Sequence, residues 1–510
     1  MKILPLLPLL VLLACVLRPE RSLPQAAELP PPDSDDPWFQ SGQEAIRAAL
    51  SQQPITSPAR NVILFVGDGH GVTSVTLSRI FEGQRHGQPG EEWVTSYEAF
   101  PYLALSKTYN TNQQVSDSAG TATAMLCGVK TKGGVIGVGQ DVVRGDWSTA
   151  EANRVPSFLE LAEDAGKSTG VVTTARLTHA TPACAYAHSP DRNWECDALI
   201  PASERAKGAR DIALQLIEFS HGDGLEVALG GGRRNFLPQE ATDPETGRSG
   251  ARSDGRDLAA EWLDRFDRSA YVWDRAGFDA IDVEETDHLL GLFEPSHMRY
   301  EADRAGDVGG EPSLAEMTAK AIDLLERDED GYFLLVEAGR IDHAHHGGNA
   351  YRALTDAVAF AEAIQTAVDR TEEQETLIVV TADHSHVISM AGYPYRGNPI
   401  LGLSVPPTPD GTRAADEPVR ANDGKPYTTV GYWNGPGAVR GERPDPSESD
   451  PTAVDYRQQA LVPLSIETHA GEDVAIYGRG PWAHLLQNTV EQHVIFHVMD
   501  FASGVRAATR

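Results

Sequence analysis

The feature that most constrains the fold is a continuously apolar hexapeptide, NVILFV at 61–66, which ends in Gly67-Asp68-Gly69. A strand that is apolar on both faces needs cover on both faces, as in a parallel sheet held between helices. Its carboxyl end carries Asp68, and ligands of open α/β sheets collect at that end. Similar runs follow at Ser168–Val172, Leu225–Leu229, Tyr332–Val336 and Thr376–Val380. Between them lie helical patterns at Val155–Ala165, Ser203–Phe219, Ser313–Glu326 and Ala350–Arg370. The alternation predicts an α/β protein: a three-layer α/β/α sandwich around a largely parallel central sheet. Tyr393–Pro463 is rich in Pro and Gly and lacks helical period, so a loop-rich, crown-like insertion is expected over 393–465.

The chemistry gathers where these runs stop. Tyr332–Val336 leads into Glu337, then Gly339-Arg340-Ile341-Asp342-His343-Ala344-His345-His346. Thr376–Val380 leads into Asp383-His384-Ser385-His386, and a third group, Glu467-Thr468-His469-Ala470-Gly471-Glu472-Asp473, lies near the C-terminus. Aspartate and histidine are ligands for Zn²⁺, and carboxylate-rich sets suit Mg²⁺. Asp342 and His346 are four apart, so one helical turn places them on one face. The stretch VSDSAGTATAMLC at 115–127 reads as a helix entry at Asp117-Ser118. A serine there sits among unpaired N–H groups at the positive end of the helix dipole, where phosphate is readily held.

Taken together, these motifs resemble the alkaline phosphatase family. The matching pieces are GDG at 67–69, DSAGTATA at 117–124, HATPA at 179–183, DRNW at 191–194, EAGRIDHAHH at 337–346, TADHSH at 381–386 and ETHAGEDV at 467–474. They run in the family's order, and NGPG at 434–437 and YRQQ at 456–459 resemble its animal-type branch. The resemblance implies phosphate-monoester hydrolysis through a phosphoserine at Ser118, on monoesters of broad type. It implies a first zinc on Asp342, His346 and His469. A second zinc would take Asp68, Asp383, His384 and Ser118, and a magnesium Asp68, Thr181 and Glu337. Arg192 would clamp the phosphate with a planar fork, with Asp117 orienting it. His179 and His343 stand behind the ligands where animal-type members have histidines; enteric members have Asp and Lys there. A calcium site is implied at Glu245, the Phe293 carbonyl, Glu294 and Glu311. Tyr393 matches a residue that reaches the partner subunit in family dimers, so a homodimer is expected. His70 departs from the animal-type pattern, which has Met after GDG. Two other readings stay open: a phosphodiesterase- or sulfatase-like relative on the same metal scaffold, and a non-catalytic phosphate- or metal-binding protein.

Charge bears on partners. The formal net charge is −31, from 74 acidic against 43 basic residues, of which eight are lysines. Such a surface repels nucleic acid, and an anionic substrate then needs a local positive site. The chain opens with Met1-Lys2 and an apolar run to Leu17, too short to span a bilayer and suited to a signal peptide over 1–17. Leu12-Leu13-Ala14-Cys15 resembles a lipobox, with Cys15 as a lipid anchor; the alternative is an ordinary secretory signal. Residues 18–37, rich in Pro and acids, read as a tether, and 38–510 as the catalytic domain of an exported, periplasmic or extracellular protein. Cys184 and Cys196 flank a loop holding Asp191 and Arg192, which an exported chain could close with a disulfide, while Cys127 reads as a buried thiol.

Overall fold

The computed structural model describes residues 35–508. The apolar leader at 1–17, its Cys15 motif and residues 18–34 of the tether lie outside the described residues. Pro54–Arg510 forms one compact unit. Helix α1 (Pro37–Ser51) belongs to another and buries none of its side chains. The compact body therefore begins sixteen residues later than the expected boundary at 38.

The body is built on one ten-stranded sheet. Its strands in chain order are β1 (Asn61–Gly67), β2 (Tyr102–Lys107), β3 (Ser168–Arg176), β4 (Val227–Gly231), β5 (Ser269–Val272), β6 (His288–Leu292), β7 (Tyr332–Ala338), β8 (Thr376–Ala382), β9 (Val474–Arg479) and β10 (Thr489–Glu491). They lie in the order β10-β2-β9-β8-β1-β7-β3-β4-β6-β5. Only β9 runs against its neighbours, β8 and β2; the other pairings are parallel. The helices that matter for the site are α2 (Val72–Arg85), α3 (Ser118–Cys127), α4 (Phe158–Asp164), α5 (Leu314–Leu325), α6 (Arg340–His346), α7 (Ala350–Arg370) and α8 (Val494–Ser503).

Alternation along β1 makes the three layers. Val62, Leu64 and Val66 join one apolar cluster with residues of α3, α4 and α8, including Met125, Phe158 and Phe496. Ile63 and Phe65 point the other way, into a cluster with Met317 and Ile322 of α5 and Phe360 of α7. Both faces are thus dry, as the unbroken apolar run requires.

Parallel register then aligns the strand ends. Gly67 pairs with Ala338 of β7 and Ala382 of β8, so Asp68 and Asp383, each one residue further on, emerge at the same edge. The strands β2, β5, β6, β9 and β10 had no distinct sequence signal; most lie toward the sheet edges, where shorter and half-exposed strands suffice. The expected strand at 225–229 starts two residues later, at Val227. The expected helix at 203–219 divides into Ala202–Arg205 and Ile212–Ile217. Gly208, at φ +89°, breaks it, and Asp211 caps the second piece by accepting from Leu214 N at 2.9 Å. Helices α4 and α5 start at capping boxes, Ser157/Glu160 and Ser313/Glu316. The 393–465 region is rich in loops and adds Val430–Gly435 and Ala460–Pro463 to a three-stranded sheet begun by Ile388–Met390 just before it. It is pinned by Ile388, Ile400, Leu401, Val430 and Tyr432 against Leu77 and Ile80 of α2 and Leu354 of α7.

Asp356, buried in α7, gives one stability prediction. Burial pushes its carboxyl up to about 8, and Oδ2 accepts from Glu301 N at 3.2 Å. A folded-state value above the unfolded one, about 4, means that the folded chain keeps the proton longer. Its contribution is therefore lost as pH rises from about 4 to about 8. Asp356→Asn keeps the acceptor without the charge and is expected to raise stability at pH 9 by about 2 kcal/mol, with little gain at pH 5. Urea midpoints of parent and variant at the two pH values measure it; equal differences at both refute it.

Candidate active site

Ser118 is the first residue of α3, and Asp117 is its N-cap, accepting from Gly120 N at 3.2 Å. Gly120 is required by space: a Cβ there would lie 2.4 Å from Asn110 Oδ1. Ser118 is 2% exposed, with Oγ 3.3 Å from His384 Nε2 and 3.5 Å from Asp68 Oδ1. The other Asp117 oxygen accepts from Gly134 N at 2.8 Å and Arg192 Nη1 at 3.3 Å. Arg192 Nη2 lies 3.0 Å from His179 Nε2. The guanidinium is thus held between Asp117 and His179, beside the helix N-terminus.

Around Ser118 the three sequence groups converge. Asp342, His346, His386 and His469 each offer a ligand atom within 4.8 Å of the others. Asp342 and His346 come from α6, His469 from a short strand paired with Ser385–His386. Asp342 Oδ1 lies 3.4 Å from His346 Nε2 and 3.3 Å from His469 Nε2. The far nitrogens are fixed: His346 Nδ1 bonds to Glu467 O at 2.6 Å and His469 Nδ1 to Ser116 O at 2.8 Å. Both rings therefore turn Nε2 inward. His386 bridges Asp342 Oδ1 at 2.7 Å and Glu467 Oε2 at 2.5 Å. Gly69, at φ +71°, leaves room for that ring; a Cβ would sit 2.4 Å from it.

A second group joins Asp68, Asp342 and His384, and a third joins Asp68, His179 and Glu337. Asp383 lies beside them, with Oδ2 3.1 Å from His384 Nε2 and Oδ1 accepting from Gly69 N and His384 N at 2.9 and 2.8 Å. Glu337 accepts from Thr173 Oγ1, a partner that no sequence motif marked.

The donor chemistry fits cations. Asp68, Glu337, Asp383 and His384 are fully buried, and Asp68 Oδ2, Glu337 Oε1, Asp383 Oδ2 and Thr181 Oγ1 have no hydrogen-bond partner. Burial and then the Asp383, Asp342 and Glu337 charges drive the Asp68 carboxyl well above the usual range. Burial pushes Glu337 up to about 7 and holds His384 neutral. Mutually repelling buried carboxylates beside neutral imidazoles suit divalent metal ions.

Other expected residues are placed as follows. His343 packs beside His179 and beside His297, whose ring centroid lies 4.0 Å away and which no sequence motif marked. His70 fills a packing position, with Nε2 2.9 Å from Tyr97 OH and its ring edge-on to Phe360. At the expected calcium position, Asp307 joins Glu245 and Glu294, and Glu311 keeps a buried Oε2 with no hydrogen-bond partner, its carboxyl raised by burial and by the Glu294 and Asp307 charges. Glu311 Oε1 is taken by Arg299 N at 2.7 Å, while Arg233 and Arg299 pair with Glu245 and Glu294. Phe293 packs its ring in the core beside Phe278. Tyr393 is 88% exposed. The expected Cys184–Cys196 disulfide is absent: Cys127, Cys184 and Cys196 are free and buried. Cys184 follows a short helix that packs on α3, so its Sγ faces Cys127 Sγ at 4.0 Å.

Comparison with known proteins agrees with this geometry. The family model described as alkaline phosphatase matches residues 59–505. The tissue-nonspecific alkaline phosphatase of Gallus gallus is 46% identical, over 94% of this chain and 92% of that protein. The alkaline phosphatase of Gadus morhua is also 46% identical, over 92% of this chain and 97% of that protein. Among solved structures, alkaline phosphatase from Thermus thermophilus superposes with a TM-score of 0.61 at 26% identity, covering 90% of this chain and 94% of that one. The chain therefore belongs to the alkaline phosphatase family and is a phosphomonoesterase.

Proposed function

We propose that Ser118 is the nucleophile and that hydrolysis passes through a phosphoserine. The observation that carries this is the position of Ser118 Oγ, 3.3 Å from His384 Nε2 and 3.5 Å from Asp68 Oδ1, at the head of α3. Asp342, His346 and His469 would hold one zinc; Asp68, Asp383, His384 and Ser118 a second; and Asp68, Thr181 and Glu337 a magnesium. When bound, such ions favour the serine alkoxide, lower the pKa of water and screen the leaving oxygen. Arg192 presents two N–H groups to the equatorial phosphoryl oxygens, and Asp117 keeps the fork in place. The N-terminal N–H groups of α3 add positive potential to the same oxygens. The Ser118 oxygen attacks in line and the alcohol leaves on the opposite side; water then displaces phosphate from Ser118. Every group in this account grips the phosphoryl moiety, so monoesters of broad type are the substrates.

A phosphodiester has one phosphoryl oxygen carrying a second carbon, which would meet Arg192 in place of a charged oxygen. Monoester turnover is therefore expected to exceed diester turnover by on the order of 10²-fold. Parallel kcat/KM measurements on 4-nitrophenyl phosphate and its bis-ester test it, and a faster diester reaction would replace this reading with the diesterase one. The reading extends to an exported protein, anchored through Cys15, and to a homodimer in which the exposed Tyr393 reaches the partner. Among the described residues no helix is long and apolar enough to cross a membrane. Glu245, the Phe293 carbonyl, Glu294 and Glu311, with Asp307 alongside, form the proposed calcium site.

A further inference from the structure

A different set of carboxylates lies at the opposite edge of the sheet, where β3 and β4 begin. Glu163 comes from the last turn of α4, Asp223 from the loop that follows His221, and Glu226 from the residue before β4. Their carboxylate oxygens all lie within 4.8 Å of one another. Glu163 is 2% exposed, and its Oε1 accepts from Thr169 Oγ1. Its Oε2 is buried with no hydrogen-bond partner. That oxygen points at the turn carrying Asp223: a Cβ on Gly222 would lie 2.4 Å from it, and Gly222 holds φ +51°. Glu226 Oε2 accepts from Thr169 N at 2.5 Å, so the buried Glu163 and the half-buried Glu226 are aligned by one residue of β3. Asp223 is exposed and leaves the group open to solvent.

The main charges acting on Glu163 and Glu226 are those of other acids, while Asp223 also faces the His288 ring. Asp223 and Glu226 act on Glu163, and Asp223 and Asp328 act on Glu226. Burial, reinforced by Glu226, pushes the Glu163 carboxyl up to about 10. One proton neutralises only one of three convergent charges, and beyond Thr169 the Glu163 carboxylate meets only the Gly224 backbone N–H. A dication answers all three and has an entry path past Asp223. Oxygen-only donors of this number, completed by water on the open side, are those of a hard ion.

We propose that Glu163, Asp223 and Glu226 form a calcium-binding site that clamps the 220–224 loop to α4 and the start of β3. The site is separate from the hydrolytic centre, which lies at the carboxyl ends of the strands, and from the Glu245, Glu294 and Asp307 group. The test uses the zinc- and magnesium-loaded protein, titrated with calcium chloride at pH 7.5 by calorimetry, with thermal midpoints recorded alongside. Asp223→Asn, at an exposed position, is the first variant; Glu226→Gln is the second, and Glu294→Gln is the control. The expected result is one fewer calcium per chain, or binding weakened by at least about tenfold, in D223N and E226Q. In both, the calcium-induced rise in melting temperature shrinks while monoester turnover stays at the parent value. Glu294→Gln keeps this binding event. Calcium stoichiometry and midpoint shifts identical in parent, D223N and E226Q overturn the proposal. So does a parent that binds no calcium here while E226Q is stabilised at high pH, which would mean that the acids share a proton.

Discussion

Ser118→Ala lowers phosphate-monoester turnover by on the order of 10⁴-fold or more. The loss is this large because one oxygen serves as nucleophile, as attachment point of the phosphoryl group and as a proposed metal ligand. The neighbouring Thr121 hydroxyl cannot take its place, because Oγ1 is turned back onto the Asp117 and Ser118 carbonyls at 3.0 and 3.1 Å. Alanine suits the first turn of a helix, and the cap on α3 comes from Asp117, so the fold survives the change. Steady-state kinetics and acid-quenched labelling with radioactive phosphate measure the effect. The parent retains label on α3 and S118A retains none. A variant that turns over as fast as the parent removes Ser118 from the mechanism.

Stripping divalent ions with a chelator is expected to abolish activity, by on the order of 10³-fold or more, and zinc with magnesium to restore it. Without cations the centre is a set of buried carboxylates, Asp68, Glu337, Asp342 and Asp383, in a chain whose formal net charge is −31. An anionic phosphoryl group then meets repulsion relieved only by Arg192 and the N-terminal N–H groups of α3. Restoration should depend on pH with a definite sign. Burial raises Glu337 to about 7, so below that value it holds a proton that a cation must displace. Metal affinity is expected to fall with acidification, by about tenfold per pH unit for each proton displaced. Activity regained against added zinc and magnesium, at pH 6 and pH 8, measures it. Unchanged activity after verified removal of metal refutes the two-zinc reading, and equal affinity at both pH values refutes the role given to Glu337.

Much of the molecule was legible in the chain because its strongest signals are local. NVILFV could only be a doubly covered strand, and Val62 and Ile63 do enter opposite clusters. The expected helix at 350–370 matches α7, whose Asn349 cap and long apolar period fix both ends. The expected helix at 313–326 matches α5, which opens at its Ser313 capping box, whereas that expected from Val155 begins three residues later, after the Ser157 cap of α4. Edge strands such as β5 and β10 were not legible, since a short half-exposed strand carries little hydrophobic period. The Ser203–Phe219 pattern misled because helical spacing does not register a glycine at positive φ.

The sequence by itself determined which side chains are available for chemistry, because aspartates and histidines that directly follow apolar strands need only parallel register to meet at one edge. Contacts between residues far apart in the chain were decided by the tertiary structure alone. Asp307 joins Glu245 and Glu294, Cys184 faces Cys127 across α3, and His386 bonds to Asp342 and Glu467. The physical reason is that local preference fixes the path of a few residues, whereas the packing of distant segments decides which atoms face one another.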